Sequence, residues 1–154
     1  MGSNGYGPGQ EHALVSDAGE PVRLSTDQDL SLTYLFRYRI VRAEGERGPW
    51  RVTTAAYYHA LEDGASREII AYHWHPGQGS AFDFPHLHMG VGIGASLGEV
   101  HKHHIPTERI AFEDVLRFAV RDLGARPARD DWEEILDETQ AAFEVWRTWH
   151  GSGP

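Results

Sequence analysis

Residues 30–41, LSLTYLFRYRIV, alternate along their length. Leu30, Leu32, Tyr34, Phe36, Tyr38 and Ile40 take the even positions, and Ser31, Thr33, Arg37 and Arg39 take odd ones. Successive side chains of a strand point to opposite faces, so a period of two predicts a strand with one buried side. Residues 50–61, WRVTTAAYYHAL, repeat the pattern, with Trp50, Val52, Ala56 and Tyr58 on one side and Arg51, Thr53, Tyr57 and His59 on the other. Residues 67–76 set Ile70, Tyr72 and Trp74 against His73 and His75. Residues 86–93 set Leu87, Met89, Val91 and Ile93 against His86 and His88. GERGP (45–49), EDGAS (62–66) and the longer PGQGSAFDFP (76–85) separate these segments and carry turn-forming residues.

The period then changes. Val115, Leu116, Ala119, Val120 and Leu123 form one stripe of a helix over about 112–123, closed by Gly124 and, further on, Pro127. A second helix starts near Trp132, with Asp131 as N-cap and Glu134 three residues later. Its stripe is Trp132, Ile135, Leu136, Thr139, Ala142, Phe143, Trp146 and Trp149. Strands followed by helices predict an α+β fold, an antiparallel sheet of about four strands with two C-terminal helices packed on one face. Residues 1–20 are rich in Gly, Ser and Asn without a period, and read as a flexible tail before a single α+β domain over 21–150. The closing GSGP reads as frayed.

Length and composition fit one domain: 154 residues, 40% hydrophobic, with five Trp, six Tyr and six Phe. No run nears the roughly 20 apolar residues of a membrane helix, and no signal segment opens the chain, so a cytoplasmic protein is expected, with no membrane partner. Without cysteine there is neither a disulfide framework nor a thiolate metal site. The net charge of −9 gives no overall attraction to nucleic acid, so any such contact must come from a local cationic face.

The compositional oddity is histidine, of which there are ten. If the apolar positions face the helices, His73, His75, His86 and His88 share the opposite face of two neighbouring strands, where opposed Cβ atoms lie about 5 Å apart. Arg37, Arg39, Tyr57 and His59 are expected on the same side. Two chemistries suit such a face. His73, His75, His86 and His88 as neutral imidazoles are ligands for zinc or another divalent transition metal, in a metal-binding protein or metal-dependent hydrolase. Alternatively, His75, His86 and His88, with His73 assisting, are the acid and base of metal-free phosphodiester cleavage, the phosphate being held by Arg37 and Arg39, and His59 and Tyr57 contacting an RNA substrate. A third reading is a non-catalytic module whose histidine face binds a protein. HKHH (101–104) reads most simply as a loop, which leaves His101 or His104 able to fold back over the sheet, and the role of His101, His103 and His104 is not legible. The glycine run 90–98 lacks the Gly-Lys-Ser/Thr of a phosphate loop, and no Gly-x-Ser-x-Gly or His-Glu-x-x-His is present.

The order AYHWHP, GQGSAFD, FPHLHM resembles the TumE-type family of small toxins from toxin–antitoxin loci, over about residues 32–90. The matching positions are Tyr72, His75, Pro76, Phe84, Pro85, His86 and His88. Two departures stand out. His73 and Trp74 replace the Asp-Asn that follows the family's tyrosine, and the second histidine run is one residue shorter. The resemblance implies a toxin acting on RNA, with an antitoxin protein as partner, and puts the metal-free RNA reading, which needs no cofactor, ahead of the metal one. It does not itself name the catalytic residue, and Tyr72 is a lesser catalytic candidate because the strand period aims it at the core. The oligomeric state is not legible.

Overall fold

A computed structural model describes residues 7–44, 48–77, 82–90 and 104–149. The chain is α+β, with one antiparallel sheet and two C-terminal helices. The strands are β1 (Glu11–Val15), β2 (Val22–Arg23), β3 (Leu30–Arg42), β4 (Trp50–Asp63), β5 (Glu68–Trp74), β6 (His86–Met89) and β7 (His104–Pro106), and the helices α1 (Phe112–Arg121) and α2 (Trp132–Trp146). The sheet order is β1-β3-β4-β5-β6-β7, with β2 also paired to β3. Among the described residues seven strands replace the four expected, because β1, β2 and β7 are too short to show a period. β1 lies inside the segment read as a tail, and its pairing with β3 sets Glu11 opposite Arg39.

The predicted strand faces hold for β3, β5 and β6. Leu32 and Leu61 are buried against Val115, Ala119 and Ala125, with Ile70 and Tyr72 packed on the same cluster. Fully burying one such aliphatic side chain contributes roughly 2 kcal/mol. α1 starts with the Ala111 N–H donating to the Asp114 carboxylate at 3.2 Å. It ends where Gly124 turns left-handed (φ +71°) and the Ala125 N–H closes back onto the Ala119 carbonyl at 2.9 Å. The Asp131 cap is not formed: its carboxylate takes two 2.6 Å hydrogen bonds from Arg129 instead. α2 buries none of its residues fully. Phe143 reaches the sheet at Phe36 (ring centroids 6.1 Å), and Arg117 of α1 holds Asp137 at 2.6 Å.

β4 is where periodicity misleads. Arg37 pairs with Ala56 but Tyr38 pairs with Thr54, so Ala55 is an extra residue that bulges the strand. The bulge inverts the alternation. Val52 and Thr54 share the helix face with Tyr57, His59 and Leu61, while Ala56 and Tyr58 turn to the opposite face. A second bulge lies between β4 and β5, where Leu61 pairs with Ile70 and Glu62 with Glu68, leaving Ile69 extra. Glu68 is thereby turned away from the helices.

Gly90 donates its N–H to the Ile69 carbonyl at 2.8 Å, and a Cβ built there would overlap the Glu68 carbonyl oxygen. Only glycine lets β6 approach the bulge this closely. Gly90→Ala is expected to lower unfolding free energy by about 2 kcal/mol, read as a shift of the urea midpoint.

The GERGP turn at 45–47, part of the 76–85 loop (78–81), the glycine run from 91, His101, His103 and GSGP lie outside the described residues. Among the described residues, no helix is long and apolar enough to cross a membrane.

Candidate metal centre

The face opposite the helices carries a row of imidazoles across three strands. His73 of β5 pairs in register with His86 of β6, and His88 of β6 with His104 of β7. The two His-x-His spacings put both members of each pair on one side, and antiparallel pairing brings the pairs together. The His73 ring lies 4.0 Å from that of His86 and 4.1 Å from that of His88, centroid to centroid. His104 lies 4.4 Å from His88 and 4.8 Å from His86. One ring nitrogen from each of His73, His86 and His88 falls within 4.8 Å of the others, and Nε2 of His73 contacts Nε2 of His88. Tetrahedral zinc, with Zn–N near 2 Å, asks for nitrogens about 3.3 Å apart. His73 and His88 already approach more closely than that, so the ion would sit between them as their rings part, with His86 closing the third side.

His86 is the centre of the arrangement. It is 0% exposed. Its Nδ1 donates to the Phe84 carbonyl at 2.7 Å, which fixes the tautomer and leaves Nε2 with a lone pair. That Nε2 is buried and has no partner among the described residues. A buried polar atom left unmade costs about 1–3 kcal/mol, so the position calls for a partner, and an ion or a water would supply one. A backbone carbonyl on the far nitrogen is also how metal-bound histidines are commonly oriented. The supporting loop is anchored, since the Trp74 indole N–H donates to the Asp83 carbonyl at 2.8 Å and Thr107 N–H to the Pro85 carbonyl at 2.9 Å.

The electrostatics keep His73 and His88 uncharged. Burial, and then the neighbouring imidazoles beginning with His88, push His73 down to about 3. Burial, and then His104, His86 and His75, push His88 down to about 4. Glu68, turned to this face by its bulge, lies with Oε1 3.8 Å from His88 Nδ1 and accepts the Tyr58 hydroxyl at 3.0 Å through Oε2. Burial and then Glu68 raise the Tyr58 phenol, which stays protonated. Glu68→Gln should weaken zinc binding by about tenfold through loss of the charge beside His88, measured by competition with a coloured chelator.

His75 lies at the end of β5 with its ring 5.0 Å from that of His73, and its buried Nδ1 has no partner among the described residues. Arg37 is on this face and, with Tyr58, His73 and His75, lines a cavity of about 340 Å³. Both Arg37 and Arg39 are ion-paired to Glu11, Arg39 at 3.0 Å, so neither is a bare phosphate site. Two members expected on this face are elsewhere, since Tyr57 and His59 lie on the helix face because of the Ala55 bulge. The candidate Tyr72 packs on the core cluster beside Ile70, where the strand period aims it. They do not join the histidines. Glu68 and Tyr58 do, and neither was singled out from the sequence.

No family model, no curated protein and no solved structure matches this chain. The geometry therefore carries the functional argument alone.

Proposed function

We propose that the protein is a metal-binding protein, with His73, His86 and His88 holding one divalent transition-metal ion, zinc first among them, and that it acts as a metal-dependent hydrolase. The observation that carries this reading is the buried His86, committed through Nδ1 to a carbonyl and facing two further imidazoles with an unpartnered Nε2. Uncharged imidazoles are the form that ligates metal. Three histidine ligands leave a position for water, the arrangement in which zinc generates a hydroxide near neutral pH. The cavity beside His73 and His75 is where a substrate would reach such a water.

A second reading, metal-free cleavage of RNA by a toxin with an antitoxin partner, keeps one support: Arg37 lies on the same face as the histidines and lines the same cavity. It is weakened by His73 and His88, which burial keeps unprotonated and so unable to serve as the general acid at neutral pH. One experiment separates the two. Metal content of the purified, untagged protein is measured by elemental mass spectrometry, followed by RNA cleavage with and without chelator. Near-stoichiometric metal, lost in His73→Ala, His86→Ala and His88→Ala, supports the metal centre. Metal-free protein that fails to take up zinc, yet cleaves RNA in chelator, would replace it with the acid–base reading.

A further inference from the structure

Three imidazoles leave a tetrahedral ion one position to fill, and a fourth imidazole stands beside it. His104 pairs directly with His88 in the β6–β7 register, so both rings project from the same face of the sheet. The His104 ring lies 4.4 Å from that of His88 and 4.8 Å from that of His86. His86 and His88, 5.1 Å apart, are thus the shared edge of two triangles, one closed by His73 and the other by His104. The tight set of nitrogens consists of His73, His86 and His88, and His104 stands just outside it.

The His104 ring stacks on Phe82, with centroids 4.1 Å apart and planes 24° apart, and Phe82 in turn lies 6.0 Å from His86. Such a ring pair is worth about 0.5–1.5 kcal/mol, little enough for a metal–nitrogen bond to outweigh. His104 is half-buried, and its strand is three residues long at the edge of the sheet. A strand of that kind opens more readily than the long central pair. The ring therefore has two seats, one on Phe82 and one over the triad, related by a turn of its own side chain. An imidazole nitrogen suits zinc and its neighbours in the transition series better than a water oxygen does, so a bound ion favours the inner seat.

We propose that His104 is a displaceable fourth ligand that regulates the metal centre. Turned inward, it fills the position that the hydrolytic water needs and closes the site. Seated on Phe82, it leaves that position open. The proposal rests on the metal reading of His73, His86 and His88, and it makes β7 the gate: whatever draws this edge strand away from His88 admits water to the ion.

The test uses the full chain loaded with cobalt(II), whose visible bands report its ligands, and titrated with thiocyanate, an anion that binds an open coordination position. His104→Phe keeps a ring on Phe82 but has no ligand nitrogen. If the site is open less than about a tenth of the time, thiocyanate binds the native protein at least about tenfold more weakly than His104→Phe. Loss of a merely structural side chain does not produce such a gain in anion binding. Equal thiocyanate sensitivity in the two cobalt-loaded proteins overturns the gate and leaves the triad standing. Cobalt bound by neither protein overturns the proposal together with the centre on which it rests. If His104→Phe does not fold, nitrogen NMR of the native protein decides. On zinc loading the His104 ring is expected to shift with those of His73, His86 and His88, and a His104 ring that stays unshifted while the other three move overturns the proposal.

Discussion

Saturating zinc is expected to raise the thermal midpoint of the metal-free protein by roughly 5–10 °C, and His86→Ala should abolish the rise. Zinc at a hundred times its dissociation constant stabilises the folded state by about 2.7 kcal/mol, because the unfolded chain offers no assembled triad. In a chain of 154 residues each kcal/mol moves the midpoint by about 2–4 °C. His86 is the most telling position, since its Nε2 has no other partner among the described residues. His88→Ala should act alike with less harm to packing, because His88 is only half-buried while His86 is fully so. A midpoint indifferent to zinc in the native protein would remove the metal centre.

The second large effect is expected from acid. His59 titrates near 4 when folded and near 6.5 when unfolded, chiefly because of burial. A depressed folded pKa means that the unfolded chain binds the proton first. Stability from this group is therefore fully present above pH 6.5 and is lost as the pH falls through 4. The loss amounts to about 3 kcal/mol at one pKa unit per 1.36 kcal/mol. Urea midpoints at pH 7 and pH 4 should diverge by that much more in the native protein than in His59→Phe, whose ring cannot charge. Equal divergence in the two proteins would show that His59 is not held neutral by the fold.

The residues that periodicity placed well and those it misplaced differ for a physical reason. In β3, β5 and β6 the alternation runs unbroken past the positions that matter, so Arg37, His73, His86 and His88 were legible from spacing alone. In β4 a single extra residue, Ala55, inverts everything after it. Ala55 sits in a Thr-Thr-Ala-Ala run with no glycine or proline to mark a bulge. Spacing alone consequently places Tyr57 and His59 on the wrong face and hides Tyr58. Ile69 hides Glu68 in the same way. A three-residue strand carries no period, so spacing assigns His104 to a loop, and β1 is hidden within a glycine-rich stretch for the same reason. The stripe of α1 survived better, since it spans three turns and a shift of one residue at its end changes little. In α2 the expected stripe overreaches: Trp149 lies beyond the helix end, and Thr139, Ala142 and Trp146 are exposed. The Asp131 cap failed for a local reason, the competing guanidinium of Arg129.

The sheet narrows toward the histidines. β3 and β4 run 13 and 14 residues, while β5, β6 and β7 run 7, 4 and 3. Short strands near the sheet edge open far more often than the long central pair, so the amides of Leu87 and Met89 should exchange with solvent well before those of Leu35 and Tyr58. An ion shared by His73 and His86 would stitch β5 to β6 across that weak seam. Exchange at the edge would then slow on metal loading while the central hairpin stayed as it was, turning the least durable part of the sheet into a gauge of occupancy.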